Sequence, residues 1–171
     1  MVERILQELS RGDFDFRNYA HPADPLSNLF DEWVPYYRLK YAIAKALRAE
    51  SILEIGVGFG YSAMAFLTAV PEAKFTGIGL NGENFAGQRD ALEWAKRVAS
   101  GYDAKFLVAD MQTLRRSPGG RYHLIHVDGQ QDGTGTFHNL RRAIAQAPWV
   151  LLDRYFRTRE NVFKANDFLL K

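Results

Sequence analysis

Between Ser51 and Ser62 the chain reads Ser-Ile-Leu-Glu-Ile-Gly-Val-Gly-Phe-Gly-Tyr-Ser, so that three glycines alternate with single residues directly after an apolar run. No other stretch restricts the fold as much. The run suits a buried strand, and Gly56, Gly58 and Gly60 supply positive φ angles and let a ligand approach the backbone without Cβ interference. A helix beginning at the end of the loop offers free backbone N–H donors. The dinucleotide fingerprint G-x-G-x-x-G does not fit, because the third glycine comes one residue early and Tyr61 stands in its place. Glu54, two residues before Gly56, puts a carboxylate at the strand end. That suits a cationic or hydrogen-bond-donating ligand better than a pyrophosphate.

The rest of the chain continues the strand-then-helix alternation. Short apolar runs at 51–55, 74–80, 105–108, 122–127 and 149–152 are separated by helical stretches at 62–69, 85–99 and 136–146, and a last helix spans 159–170. This pattern predicts an α/β fold: a doubly wound, mostly parallel sheet with right-handed crossovers and ligand loops at the carboxyl ends of the strands. Ahead of it, a helix is expected from Asp31, with Asp31 capping, Pro35 in the first turn, and Val34, Tyr37, Tyr41, Ala44 and Leu47 on one face. Residues 1–30 form an irregular or helical lead-in. Gly12, Pro22 and Pro25 interrupt it, yet Phe14, Phe16 and Tyr19 give it something to pack. Residues 31–171 form the main domain.

Composition removes several classes of function. With 22 Lys and Arg against 20 Asp and Glu, the formal charge is +2, far from the concentrated positive field of a nucleic-acid binder. The absence of cysteine excludes disulfides, thiolate metal sites and a cysteine nucleophile. The charged amino terminus and the lack of any apolar run near ~20 residues exclude a secretory signal and a membrane span, so a cytoplasmic location is expected.

Glu54-Ile-Gly-Val-Gly-Phe-Gly60, together with Val127-Asp128-Gly129 and Leu151-Leu152-Asp153, resembles the class I S-adenosylmethionine-dependent methyltransferases, in the subgroup with an EIGV-type first motif and a VDG motif after the fourth strand. The resemblance covers Trp33 through Leu170. It implies a Rossmann-like sheet that binds S-adenosylmethionine, with Glu54, Gly56, Gly58 and Gly60 facing the methionine part and Tyr61 and Ser62 at the adjoining helix start. It also implies that Asp110, followed by Met111, lies beside the adenine. Two departures stand out. Gly79 occupies the place of the acidic residue that grips both ribose hydroxyls, leaving Asn81 or Glu83 to supply a substitute hydrogen bond. An absent bidentate carboxylate costs about 1–3 kcal/mol of affinity. Arg154 occupies the third position of the divalent-ion site that metal-dependent relatives build. Asp128 and Asp153 alone offer a possible Mg²⁺ site, and the arginine opposes it or pairs with one of them. No bound metal is expected.

Methyl transfer to a hydroxyl requires positioning of the nucleophile and removal of its proton. Asp128, ending the fourth strand at the sheet's carboxyl edge, is the first candidate base; His126, two residues earlier, is the second, and His138 a weaker third. Gln130, Gln131 and Asp132 are candidates to line the site, and Trp33, Tyr36, Tyr37 and Tyr41 to form a lid or a core stripe. The basic pair Arg115 and Arg116 and the run Arg154, Arg157 and Arg159 fit solvated faces, and the run is alternatively placed to meet an anionic substrate near Asp153. The resulting expectation is methyl transfer to a small-molecule acceptor, through a hydroxyl oxygen. A degenerate member serving as a binding or regulatory module is the alternative, and an NAD-dependent oxidoreductase is disfavoured by the glycine spacing. The terminal β-hairpin of full-length relatives has no counterpart before Lys171, so a homodimer that covers the exposed fifth strand, or a fragment of a longer chain, is also expected.

Overall fold

The computed structural model describes residues 1–80, 90–114, 118–130, 132–156 and 158–170. Five parallel strands, β1 (Ser51–Ile55), β2 (Lys74–Gly79), β3 (Ala104–Val108), β4 (Leu124–Val127) and β5 (Trp149–Leu152), lie in the order β3-β2-β1-β4-β5. All four pairings are parallel. The chain direction across the sheet reverses between β1 and β4, which opens a crevice at their carboxyl ends.

Helices cover both faces: α1 (Val2–Arg11), α2 (Phe30–Leu47), α3 (Tyr61–Ala69), α4 (Ala91–Val98), α5 (Thr134–Gln146) and α6 (Arg159–Leu169). Strand parity divides the core. Ile52, Phe75 and Leu124 sit in one row and pack with Met64, Phe66 and Leu67 of α3. Leu53, Ile55, Ile78, Ile125 and Val127 face the other way, toward Met111, Tyr122 and Ala143 of α5. Because both faces are buried, the strands read as apolar runs rather than as alternating patterns.

The lead-in is built into this core. Phe16, fully buried, has its ring centroid 4.4 Å from that of Tyr37 and 5.1 Å from that of Tyr61. Phe14 stacks on Tyr41. Two short 3-10 turns, Phe16–Tyr19 and Ser27–Leu29, carry the chain across the amino end of α3 and into α2.

The structure corrects several boundaries. α2 begins at Phe30 rather than Asp31, with Leu29 at the cap position and no side chain capping it, so Pro35 lies inside the helix. Asp31 accepts a hydrogen bond from the Arg17 guanidinium instead. β2 stops at Gly79, β4 begins at Leu124, and α3 and α5 begin one and two residues earlier than expected. The described part of the helix predicted at 85–99 is α4; residues 85–89 lie outside the described residues, as do Asn81, Glu83, Arg115, Arg116, Gln131 and Arg157.

Replacing Phe16 with Ala removes a fully enclosed ring shared by α2, α3 and the lead-in. The expected loss is about 3–5 kcal/mol in urea unfolding, as for other buried aromatic truncations. A loss below about 1 kcal/mol would mean that the lead-in is not part of the cooperative core.

Candidate functional site

The glycine loop lies at the crevice. Gly56, Gly58 and Gly60 have φ values of 98°, 54° and 82°. At Gly56 an added Cβ would stand 2.3 Å from the Asp128 carbonyl oxygen, and at Gly60 it would stand 2.7 Å from Ala95 Cβ, so the loop closes against β4 on one side and α4 on the other. Gly56 N–H donates to Ile78 O at 2.8 Å and Asp128 N–H to Ile55 O at 2.8 Å. These bonds hold the ends of β1, β2 and β4 at one level, where α3 begins.

Above them is a cavity of about 1060 Å³. Its floor is Gly56, Val57 and Gly58, with Tyr61 and Ser62 at the start of α3, Gly79 and Leu80 after β2, Asp110 and Met111 after β3, and Asp128, Gly129 and Gln130 after β4. α2 contributes Trp33, Tyr36 and Tyr37 to the wall. Tyr41 does not reach it. Asp24 and Leu26, from the lead-in, complete one side. Asp24 was invisible as a site residue in the sequence, since nothing in its local spacing marks it. It is held there by Tyr61, whose hydroxyl donates to its Oδ2 at 2.7 Å, and by Leu26 N–H, which donates to its Oδ1.

Asp110 lines the cavity and also accepts Gln112 N–H at Oδ1, 2.8 Å away. The loop carrying it is pinned from α5 by Arg142, which donates to the carbonyls of Met111 and Leu114. Asp132 is exposed and does not line the cavity; its Oδ1 accepts Gly135 N–H, an arrangement that steadies the start of α5. His138 lies on α5, away from the cavity wall.

Glu54 and His126, both expected at the ligand, lie beneath the cavity instead. They are opposite each other in the β1–β4 register and fully enclosed under α3, with the Phe66 ring edge-on to the imidazole. His126 Nδ1 is 3.0 Å from Glu54 Oε1, and His126 Nε2 is 3.1 Å from Asp153 Oδ2. The same Asp153 oxygen accepts from Lys40 Nζ at 2.6 Å and from the Tyr36 hydroxyl. Lys40 also donates to Ser62 Oγ at 2.7 Å. One continuous chain of polar contacts therefore joins β1, β4, β5, α2 and α3. Glu54 Oε2 is its one end without a hydrogen-bond partner. Lys40 was not singled out from sequence. A lysine at a helical position facing the core was the available signal.

This cluster sets the protonation of its members. Burial and the Lys40 charge oppose a proton on His126, but its hydrogen bonds to Asp153 and Glu54 outweigh them and raise its pKa. Burial pushes Asp153 up, yet hydrogen bonding from His126 and the Lys40 charge win and hold it well below the carboxylate range. Asp128, one loop away, is pushed up to about 6 by burial, against the lowering influence of His126 and Lys40. Arg154, with φ of 48°, turns its Nε to within 3.6 Å of Asp128 Oδ1 at the cavity wall. Burial, reinforced by the charges of Asp128 and Asp153, raises the pKa of the Tyr36 hydroxyl, so it stays protonated.

No family model and no curated protein matches the sequence. Solved structures do match. The O-methyltransferase TomG from Streptomyces achromogenes, determined with SAM, superposes with a TM-score of 0.62 at 19% identity, over 96% of this chain and 76% of that one. The O-methyltransferase from Bacillus cereus, determined with SAH, gives 0.61 at 14% identity, over 99% and 76%. The SAH-bound Podospora anserina methyltransferase PaMTH1 gives 0.58 at 20% identity, over 90% of this chain but 63% of its own length. The shared feature is the fold: a five-stranded parallel sheet of the Rossmann-like methyltransferase type. Among the described residues, no helix is long and apolar enough to cross a membrane.

The pKa directions predict how stability depends on pH. A carboxyl raised from 3.8 to about 6 stabilises the fold below pH 3.8 and loses that contribution as pH climbs through 6. Asp128→Asn should remove this decline, worth roughly 1–3 kcal/mol. A raised histidine stabilises below its ordinary 6.5 and loses that contribution as pH rises through its raised pKa, so His126→Gln should remove a second decline that sets in above 6.5. His126→Gln should also cost about 3–5 kcal/mol at pH 6, because it leaves buried charge uncompensated. Urea unfolding of the three proteins across pH 4–9 checks both, and parallel curves would contradict the assignments.

Proposed function

We propose that the chain is an S-adenosylmethionine-dependent methyltransferase acting on a hydroxyl oxygen of a small-molecule acceptor. The observation that carries this reading is the cavity at the strand-order reversal, floored by a glycine loop with three positive φ angles and walled by carboxylates. The likeness in fold to proteins solved with SAM or SAH supports it.

The residues present fit the cofactor. Bare glycine backbone and the amino end of α3 would receive its amino-acid tail. Asp24 would stand near the tail's ammonium group in place of Glu54, which is enclosed. Asp110 and Met111 would flank the base. Among the described residues, the end of β2 brings Gly79 and Leu80 and no carboxylate to the cavity wall, so from these the ribose would be held less firmly than by a bidentate pair. When bound, the cofactor supplies an electrophilic methyl carbon whose bond to sulfur breaks as the acceptor oxygen forms its bond to carbon.

The chain's own residues do the rest. Asp128 faces the cavity with its pKa pushed up to about 6 by burial, so it is mostly ionised at pH 7 and accepts the hydroxyl proton. Arg154 stands beside it and favours its charged form. His126 acts behind this wall, through Asp153, as a positioning residue. Trp33, Tyr36 and Tyr37 offer flat apolar surface to the acceptor and exclude water.

S-adenosylhomocysteine near 100 times its Kd should raise the melting temperature by about 5–10 °C, from a linkage of about 2.7 kcal/mol, while NAD leaves it unchanged. The absence of a shift at millimolar ligand would overturn the reading. With a competent acceptor, kcat/KM should rise with pH through about 6 and then level. Asp128→Asn should lower transfer by about 10²–10⁴-fold and abolish that limb; an unchanged profile would remove Asp128 from the role of base.

A further inference from the structure

His126, Asp128 and Asp153 each offer a ligand atom, and these atoms lie within 4.8 Å of one another. By donor type and spacing alone this triplet is a candidate divalent-cation centre. The surrounding side chains contradict that. A carboxylate oxygen has about two lone-pair sites, and those of Asp153 Oδ2 are taken. Oδ2 accepts from Lys40, Tyr36 and His126, and Oδ1 accepts the Arg154 backbone N–H at 2.8 Å. Asp128 has the Arg154 guanidinium beside it.

We propose that the Lys40 ammonium is a tethered cation that fills the charge position of a divalent ion at Asp153, so that this centre rejects metal and works without it. Lys40 is suited to this. It lies inside α2 with 3% of its surface exposed. Its Nζ is 4.1 Å from the centroid of the Tyr36 ring and 5.3 Å from that of Tyr37, so the head group is held by two aromatic faces as well as by Asp153 and Ser62. It needs no dehydration and no ligand reorganisation to be in place. The charges also meet in pairs: Lys40 stands against Asp153 and Arg154 against Asp128. A dication added to this set has no uncompensated carboxylate to meet. Removing Lys40 leaves the Asp153 charge without its cation, takes one donor off Oδ2 and opens room beside it, which are the conditions for a hard cation.

The inference concerns the centre assigned above to methyl transfer and takes the role of Asp128 from that reading, but its test measures metal binding and needs no transfer. Free Mn²⁺ is followed by electron paramagnetic resonance during titration of the wild type, Lys40→Ala, Lys40→Asn and Lys40→Arg, with melting curves in EDTA and in Mn²⁺. The wild type and Lys40→Arg should take up no ion at about 1 mM, and their melting should be the same in EDTA. Lys40→Ala and Lys40→Asn should each bind about one Mn²⁺ per chain, at least about tenfold tighter than the wild type, and melt higher with the ion than without it. Two variants are used because each loses a buried charge partner, and the wild-type arm stands even if one fails to fold. One Mn²⁺ bound by the wild type and lost in Asp128→Asn would overturn the proposal. So would folded Lys40→Ala and Lys40→Asn proteins that both ignore the ion. Failure of the S-adenosylhomocysteine titration would leave these outcomes unaffected, so the two readings fail separately.

Discussion

The buried contact between His126 and its two carboxylates is the constraint on which the rest of the site depends. Charged groups under a parallel sheet are costly to desolvate, and an ion pair there seldom adds net stability over apolar packing. What this one adds is position. Asp153 is held at the end of β5 by His126 from β4, by Lys40 and Tyr36 from α2, and by the backbone after it. α2 is thereby fastened across the carboxyl edge of the sheet, which brings Trp33, Tyr36 and Tyr37 to the cavity wall. A purely apolar interface would allow α2 to slide by a turn; an ammonium seated between one carboxylate, one serine hydroxyl and two rings does not.

The glycine loop works with this cluster rather than independently of it. Its close approach to the Asp128 carbonyl leaves no room for a side chain at Gly56, and its closing turn leaves none at Gly60 beside Ala95. The cavity is therefore bounded below by backbone and above by aromatic rings. Among the described residues, the charged groups that reach it, Asp24, Asp110, Asp128 and Arg154, come from four separate segments. Glu54 and His126, the most polar residues of the central strands, hold the scaffold together, and Asp128 rather than His126 lines the cavity.

Much of the architecture was legible in the chain itself. The five apolar runs, the intervening helices and the glycine turn are local signals, written in strand length, helical spacing and backbone freedom; each corresponds to an element of the fold, the helix expected at 85–99 only over its described part, Ala91–Val98. The aromatic residues at 14, 16 and 19 likewise announced a lead-in that packs. The start of α2 was misread because an aspartate near a helix start is ambiguous: Asp31 serves the Arg17 guanidinium rather than the helix N–H groups. The site was legible only in part. Gly56, Gly58, Tyr61, Ser62, Asp110, Met111 and Asp128 line the cavity, and Glu54, Gly60 and His126 do not.

The sequence by itself determined the fold class and the strand end at which the glycine loop stands, because periodicity and glycine spacing act over short stretches of chain. Only the tertiary structure decided which polar residues line the cavity there. Glu54, His126, Asp153 and Lys40 are up to 113 residues apart in sequence, and their mutual neutralisation depends on strand register and on the seat of α2. Neither is encoded in any local pattern. Asp24 joins the cavity for the same reason: the lead-in folds over α3, and Tyr61 holds it there.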